Sequence, residues 1–207
     1  MTWTSLFFNV SGKNVLILGT GEVGTRRANR FLDNGSNVIL IGNDIKKVLE
    51  DKGAILKKST SKESLNELVQ WSDIVVLASG DKDLSNYLAS ISGDKLLNRA
   101  DKPEEGNIIV PTSFYIDDVQ ISIFTGGKSP LMAKQLRKKI QSLITEEDIL
   151  EIKLQDYIRT ILKDNKSNQK IRKEILYDVY NNQDIKELLK DNQLDKAKEY
   201  VDKLIKN

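Results

Sequence analysis

Gly19, Gly21 and Gly24 have the spacing G-x-G-x-x-G and directly follow four aliphatic residues. Such a run is typical of a buried parallel strand, and apolar residues at helical spacing follow the last glycine. In that setting the first glycine permits a tight turn, the second leaves room for a pyrophosphate, and the third lets the helix pack close to the sheet. The helix N-terminus, with Glu22 and Val23, would offer backbone N–H groups to the phosphates. The motif predicts a dinucleotide-binding turn; the alternative is an α/β turn that binds no nucleotide.

Asn43 and Asp44 stand just beyond a second aliphatic strand, predicted over residues 38–41. An acidic side chain near this place typically binds the adenosine ribose of a dinucleotide, and either residue could do so. Equally, Asp44 could form an Asx turn or cap a helix over residues 45–49. No Arg directly follows the strand, which favours NAD over NADP.

Two further predicted strands also end in polar residues. Ser79 and Asp81 follow the buried strand 73–78, and a strand over residues 96–98 leads into the polar stretch 98–101. In an open α/β sheet, ligands bind beyond the carboxyl ends of the strands. Both stretches should therefore face the same crevice as the glycine motif, which makes Ser79 and Asp81 candidate cofactor-binding residues.

The composition narrows the chemistry that the chain can perform. Its 207 residues are 39% hydrophobic and 30% charged, with a net charge of +2 and neither Cys nor His. Disulfides are excluded, and no metal site is expected, because thiolates and the commonest metal ligand are missing. Acid–base chemistry must fall to carboxylates, Lys or Tyr. The charge gives no sign of nucleic-acid binding, and no apolar run approaches the ~20 residues that span a bilayer, so a cytoplasmic protein is expected.

Strand and helix patterns alternate through the first half of the chain. They predict an α/β fold with a Rossmann-type parallel sheet over residues 1–110. A smaller strand and helix segment should follow over residues 111–145, and then an all-helical domain over residues 146–207, with loops at 164–169 and 181–184. The other elements predicted in the first half are a strand over residues 54–56, a helix that begins at Ser61 and a helix over residues 84–91.

In the middle segment a glycine-bearing loop, residues 125–130, precedes a helix. Ser129 is its expected N-cap and Pro130 its first residue. Its predicted apolar face consists of Met132, Leu136, Ile140, Leu143 and Ile144. The strands predicted before that loop cover residues 108–111, 114–116 and 119–124, with a turn at Asp117 and Asp118.

Taken in order, these motifs resemble the precorrin-2 dehydrogenase family, the dehydrogenase module of sirohaem synthesis. The resemblance covers the chain from Phe7 to about Ile140. It implies NAD-dependent oxidation of precorrin-2 to sirohydrochlorin by a homodimer that exchanges residues 111–145. Some members are also ferrochelatases, so the resemblance leaves that activity open. The matching stretches are Phe7-Phe8-Asn9-Val10, V-L-I-L-G-T-G-E-V-G, Ala78-Ser79-x-Asp81, Asn98-x-x-Asp101, Pro111, and Thr125-Gly126-Gly127-x-Ser129-Pro130 followed by Ala133 and Leu136-Arg137.

The family's catalytic aspartate falls on Asp101. There it would accept or steer the proton that is lost as hydride moves to the nicotinamide. Its alternative role is that of a turn residue before Lys102 and Pro103. The chain departs from the family pattern at Arg99 and Ala100, where a small apolar pair is usual.

A tetrapyrrole substrate of the kind implied bears many carboxylates. Lys128 and Arg137 could form charge-assisted pairs with them, and the loop around Gly126 could present backbone N–H groups. The alternatives are an ordinary solvated helix face and a plain strand-to-helix turn. The expected substrate-binding residues are Asn98, Thr125, Gly126, Gly127, Lys128, Ser129 and Arg137.

Other classes explain the residues less completely. Short-chain dehydrogenases also use glycine-rich turns but need Tyr-x-x-x-Lys, and no tyrosine here has Lys four residues later. A methyltransferase would bind S-adenosylmethionine and usually has a looser glycine pattern. A nucleotide-sensing regulatory domain without catalysis accounts for the glycines but gives no reason for Asp101 or the loop 125–130, and it is kept as the alternative.

Overall fold

The computed structural model describes residues 3–58, 61–164 and 168–206. By its internal contacts the chain divides into two units, Met1–Val110 and Pro111–Asn207. The division into three segments stays a prediction. Within the described ranges, no helix is both long enough and apolar enough to cross a membrane.

The first unit is an α/β unit with a parallel sheet, as predicted. Parallel strands that are covered on both faces are continuous aliphatic runs, which is why the sequence pattern located them. The strands are β1 (Asn14–Leu18), β2 (Asn37–Ile41), β3 (Ile55–Lys57), β4 (Ile74–Leu77) and β5 (Leu96–Arg99). The sheet has the order β3-β2-β1-β4-β5, so its first strand lies in the centre and the carboxyl ends of the first and fourth strands lie side by side, with Leu18 opposite Leu77.

Helices cover both faces of this sheet. One buried cluster joins the sheet to Ala28, Phe31 and Leu49, and a second joins the opposite face to Leu65 and Leu88. The helices are α1 (Glu22–Asp33), α2 (Lys47–Asp51), α3 (Lys62–Trp71) and α4 (Lys82–Ile91). The predicted start of α3 is confirmed, since the Ser61 hydroxyl accepts a hydrogen bond from the Ser64 N–H at 3.2 Å.

Residues 108–111, which were predicted to be a strand, do not form one. The Asn107 side chain instead accepts a hydrogen bond from the Leu97 N–H at 2.6 Å. The backbone N–H of Asn107 donates to the Leu97 carbonyl at 2.9 Å. The next residue, Ile108, is held by the side chain of Asn98, which donates to its carbonyl at 3.0 Å. Asn107 therefore bonds to both the N–H and the carbonyl of Leu97, and no strand ladder forms along β5 at this place.

The second unit begins with an antiparallel hairpin and a helix, both at the predicted places. The strands are β6 (Thr112–Ile116) and β7 (Val119–Ile123), and the helix is α5 (Pro130–Gln141). Asp117 makes the hairpin turn in a left-handed conformation, with φ = 49°. Its carboxylate is paired with Lys153, which belongs to the helix after α5.

The rest of the second unit is helical and has its own buried core. It comprises α6 (Glu146–Asp164), α7 (Gln169–Asn181), α8 (Gln183–Lys190) and α9 (Leu194–Lys206). The loop predicted over residues 181–184 was wrong, because Asn182 alone separates two helices and its side chain accepts a hydrogen bond from the Ile185 N–H at 3.1 Å. Most of the loop predicted over residues 164–169 lies outside the described residues.

Candidate nucleotide-binding site and the Asp101 loop

The three motif glycines have different surroundings, and each matches one expected role. Gly19 has φ = 103°, and a Cβ atom there would lie 2.4 Å from the carbonyl oxygen of Ala78. A Cβ atom on Gly24 would lie 2.0 Å from the carbonyl oxygen of Gly19. A Cβ atom on Gly21 would meet nothing within 4 Å. Thus the outer two glycines are needed for a tight turn and close packing, while the middle one borders open space.

The helix α1 begins at this open space. Its N-cap is Gly21, and no side chain makes a capping hydrogen bond there. The first N–H groups of an α-helix have no partner inside the helix and carry a partial positive charge. Glu22 points into solvent and pairs only loosely with Arg26, at 3.6 Å, while Val23 is half-buried. A pyrophosphate of a dinucleotide therefore fits this position in both space and charge.

The end of β2 lies against the same glycine turn. A Cβ atom on Gly42 would lie 2.5 Å from Cγ2 of Thr20. Asn43 and Asp44 follow and are exposed. The alternative in which Asp44 caps a helix is wrong: the N-cap of α2 is Lys46, without a side-chain hydrogen bond, so the helix starts later than expected. The ribose-binding role of Asn43 and Asp44 stays a prediction.

Ser79 and Asp81 order the turn between β4 and α4. The Asp81 carboxylate accepts a hydrogen bond from the Leu84 N–H at 3.0 Å, which makes it the N-cap of α4. The Ser79 hydroxyl accepts one from the Asp81 N–H at 3.1 Å. This turn adjoins the glycine turn through Ala78 and Gly19. Contact of either side chain with a cofactor stays a prediction.

Asn98 lies inside the unit rather than at its surface. Its side chain is on the sheet face of Val76, its neighbour in the register of β4 and β5, and the residue is 1% exposed. Its amide nitrogen donates to the Ile108 carbonyl, and its amide oxygen is buried and has no hydrogen-bond partner among the described residues. Its role toward a substrate stays a prediction.

Asp101 is held by Arg99 in a two-pronged ion pair. Arg99 Nε donates to Oδ1 of Asp101 at 3.2 Å, and Nη2 donates to Oδ2 at 2.6 Å. The guanidinium also pairs with Glu105 through Nη1 and donates to Asn86 Oδ1 at 3.1 Å. The Arg99 side chain is 2% exposed and that of Asp101 is 26% exposed. Asp101 thus stands where a buried cation meets the surface.

This ion pair shifts the pKa values of both Asp101 and Arg99. Hydrogen bonding to the Arg99 guanidinium, the largest effect, lowers the pKa of Asp101 below its ordinary value, and partial burial opposes the shift. The same bond raises the pKa of Arg99. Sequence reasoning noted Arg99 only as a departure from the family pattern. Its closeness to Asp101 in the sequence was the available signal, because an Arg two residues from an Asp is near enough to form an ion pair with it.

In the second unit, the loop before α5 is closed by its own residues. Gly126 and Gly127 have φ values of 66° and 73°, and the Lys128 N–H donates to the Thr125 carbonyl at 3.2 Å. The Ser129 hydroxyl accepts a hydrogen bond from the Met132 N–H at 3.1 Å, which confirms the predicted N-cap. Gly126 and Gly127 are thus the central residues of a tight turn, and some turns present successive backbone N–H groups to an anion.

Two basic side chains accompany this loop. Lys128 is exposed. The guanidinium of Arg137 lies 5.6 Å from the ring centroid of Phe114, whose ring is almost fully buried. Such stacking fixes the stem of Arg137 while its N–H groups stay available to an acidic ligand. Binding of a substrate by these residues stays a prediction. Among the described residues, no group of three or more acidic side chains is placed to hold a metal ion.

Comparison with known proteins identifies the family. The family model described as "Putative NAD(P)-binding" matches residues 6–112, and the one described as "Sirohaem biosynthesis protein central" matches residues 117–143. A "Putative precorrin-2 dehydrogenase" of Methanocaldococcus jannaschii is 32% identical over 196 residues, which cover 89% of this chain and 93% of that protein. A precorrin-2 dehydrogenase of Methanosarcina barkeri is 30% identical over 186 residues, which cover 84% of this chain and 81% of that protein.

A solved structure shares the fold. The structure of SirC, described as a precorrin-2 dehydrogenase, matches with a TM-score of 0.76 and covers 97% of this chain and 100% of its own, at 22% identity. The first unit accordingly carries an NAD(P)-binding domain, and the chain belongs to the precorrin-2 dehydrogenase family.

Proposed function

We propose that the chain oxidises precorrin-2 to sirohydrochlorin with NAD as the hydride acceptor. The observation that carries the proposal is the relationship over nearly the whole chain to proteins named precorrin-2 dehydrogenase. The glycine turn supports it independently, because Gly21 leaves the space that a pyrophosphate needs at the N-terminus of α1.

When bound, NAD supplies an electron sink that takes two electrons and one hydrogen from the substrate as hydride. The substrate also loses a proton, which passes to solvent. Asp101 steers that proton and stabilises the positive charge that develops on the macrocycle. A carboxylate whose pKa lies below its ordinary value suits the second task better than the first, since it stays ionised throughout.

The second unit supplies groups for an acidic substrate. Lys128 and Arg137 offer cations, and the turn at Gly126 and Gly127 would offer backbone N–H groups. The substrate carboxylates would bind these groups equally well before and during hydride transfer. They therefore contribute to substrate affinity, whereas Asp101 contributes to turnover.

The helix α5 supports assembly as a homodimer. Its predicted apolar face is largely exposed within the unit: Met132 is 49% exposed, Leu136 37% and Leu143 67%. Leu131, which lies beside this face, is 65% exposed. Such a continuous apolar face on a single chain marks an interaction surface. Replacing Leu131 and Leu136 with Glu should yield a monomer in light scattering, and a dimer of unchanged stability would refute this assignment.

The experiment for the activity is anaerobic incubation of the protein with precorrin-2 and NAD, with NADH absorbance as the readout. NADH that appears only when both compounds are present supports the dehydrogenase. NAD binding in calorimetry without turnover would favour the nucleotide-sensing domain instead. The same preparation with sirohydrochlorin and ferrous iron tests the ferrochelatase activity. A cytoplasmic location, without membrane or nucleic-acid partners, stays a prediction from the composition.

A further inference from the structure

Arg99 is a buried cation at the end of β5, beside the candidate catalytic aspartate. Its side chain is 2% exposed, and a guanidinium removed from water needs charged partners close by. Asp101 and Glu105 supply them, and the neutral Asn86 of α4 accepts a third contact at 3.1 Å. Replacing a buried ion pair with well-packed aliphatic side chains often leaves protein stability unchanged or raises it, so stability alone does not explain a buried cation at this position.

The geometry of the pair with Asp101 is more specific than charge neutralisation requires. Both carboxylate oxygens are engaged, by Nε at 3.2 Å and by Nη2 at 2.6 Å. A planar guanidinium that grips a carboxylate with two parallel bonds fixes its plane as well as its position. Asp101 itself follows the strand by two residues, in a segment without regular secondary structure. The buried, strand-borne Arg99 therefore supplies the rigidity that the loop lacks.

The loop is also folded back onto β5 behind this pair. A Cβ atom on Gly106 would lie 2.7 Å from the carbonyl oxygen of Leu97 and 3.2 Å from the backbone nitrogen of Arg99. Glu105, the residue before it, pairs with both Arg99 and Lys102, the latter at 2.9 Å. Arg99 thus has two separable tasks: it tethers the loop through Glu105, and it orients Asp101.

We propose that Arg99 is a positioning residue that holds the Asp101 carboxylate in one orientation, as an anion, for the oxidation. This inference rests on the proposed function, in which Asp101 acts on the macrocycle. Arg99, whose side chain is buried, would not itself touch substrate or cofactor. It acts through Asp101, in the way that supporting hydrogen bonds orient catalytic groups elsewhere.

The pH dependence of turnover follows from the charges around the pair. Arg99 faces Asp101 from β5, Glu104 and Glu105 face Arg99 from the following turn, and Lys102 engages Glu105. The net effect on Asp101 is a lowered pKa. Loss of Arg99 removes its largest cause, so protonation of Asp101, and with it the loss of turnover on acidification, should begin at a higher pH.

The experiment compares Arg99→Gln and Arg99→Lys with the matched control Glu105→Gln. Arg99→Gln should lower kcat on the order of 10²-fold, leave the KM for NAD unchanged and move the acid limb of the kcat profile to higher pH. Arg99→Lys should recover part of the rate, because it keeps the charge but loses the two-pronged geometry. Glu105→Gln breaks only the loop tether and should keep the wild-type profile.

If the acid limb of the kcat profile moved as far in Glu105→Gln as in Arg99→Gln, the proposal would be overturned, since the loop tether alone would then explain the effect. Should Arg99→Gln fail to fold, wild-type kinetics in Arg99→Lys would overturn it just as well. A carbon-13 titration of the Asp101 carboxyl, identified by its absence from Asp101→Asn, needs no substrate. An ordinary pKa there would overturn the proposal, whereas absent turnover in the wild type would count against the proposed function alone.

Discussion

The backbones of Gly24 and Gly19 approach so closely that a Cβ atom on Gly24 would lie 2.0 Å from the Gly19 carbonyl oxygen. Alanine in a helix is favoured over glycine by about 1 kcal/mol. Here the clash is with backbone atoms, which cannot rotate away, and overpacking of this kind costs about 1–3 kcal/mol. We therefore expect Gly24→Ala to lower the free energy of unfolding, as measured in urea. Gly80→Ala, where a Cβ atom would meet nothing within 4 Å, is the control and should change it little.

Gly21 allows stability and cofactor binding to be separated. A side chain at this N-cap has space, and Asp is among the preferred capping residues, so Gly21→Asp should fold with unchanged or raised stability. Its carboxylate would nevertheless occupy and repel the pyrophosphate position. Calorimetry should show no NAD binding by Gly21→Asp. The Asn side chain has the same shape as Asp but is neutral. Gly21→Asn should therefore bind NAD more weakly than wild type and more tightly than Gly21→Asp. Unchanged affinity in a folded Gly21→Asp would remove this turn from the cofactor site.

Asp101→Asn tests the candidate catalytic carboxylate. Asn has nearly the same size, but it can neither accept a proton nor balance positive charge on the macrocycle. Loss of such a group typically lowers the rate about 10²–10⁴-fold, and here the loss should appear in kcat with little change in KM. NAD affinity should be retained. Near-wild-type NADH production by the variant would show that Asp101 serves only the loop.

Asp101→Asn should also change how the free energy of unfolding depends on pH. The pKa of Asp101 is lowered in the folded state below the ordinary value of 3.8, chiefly by Arg99. A lowered pKa means that the ionised pair stabilises the fold above that ordinary value and that this contribution is lost as the pH falls through the folded pKa. The difference in unfolding free energy between wild type and Asp101→Asn should therefore shrink on acidification below 3.8. Parallel stability curves would contradict the pairing.

The sequence was most informative where local rules govern the structure. Buried strands such as β1 and β4 are continuous aliphatic runs, and Ser61 and Ser129 cap helices by contacts within three residues, so pattern and spacing located them. The Asp101 loop was different. Its structure depends on a long side chain, Arg99, that reaches Glu105 and another helix, and periodicity carries no information on such contacts.

Two errors have similar causes. The segment 108–111 has the composition of a strand, but Asn107 occupies the edge of β5 in its place. The loop predicted over residues 181–184 is too long, because a single residue, Asn182, ends α7 and caps α8, whereas four polar residues in a row indicated a loop. In both cases an asparagine side chain accepts a hydrogen bond from a backbone N–H, and sequence composition alone does not reveal which asparagine does so.

Arg137 is the last residue whose role can be tested by a matched substitution. Its guanidinium lies over the Phe114 ring, so truncation to Ala would uncover a buried aromatic as well as remove a charge. Arg137→Met keeps an apolar stem over the ring and removes only the charge. If Arg137 binds a substrate carboxylate, this variant should raise the KM for the tetrapyrrole more than it lowers kcat, since the pair forms equally before and during hydride transfer. The KM for NAD should not change.

The control for net charge is Lys163→Met, which removes an exposed charge from α6 and should change neither kcat nor the KM for the tetrapyrrole. Wild-type kinetics in Arg137→Met would mean that the basic face of α5 is only solvated surface.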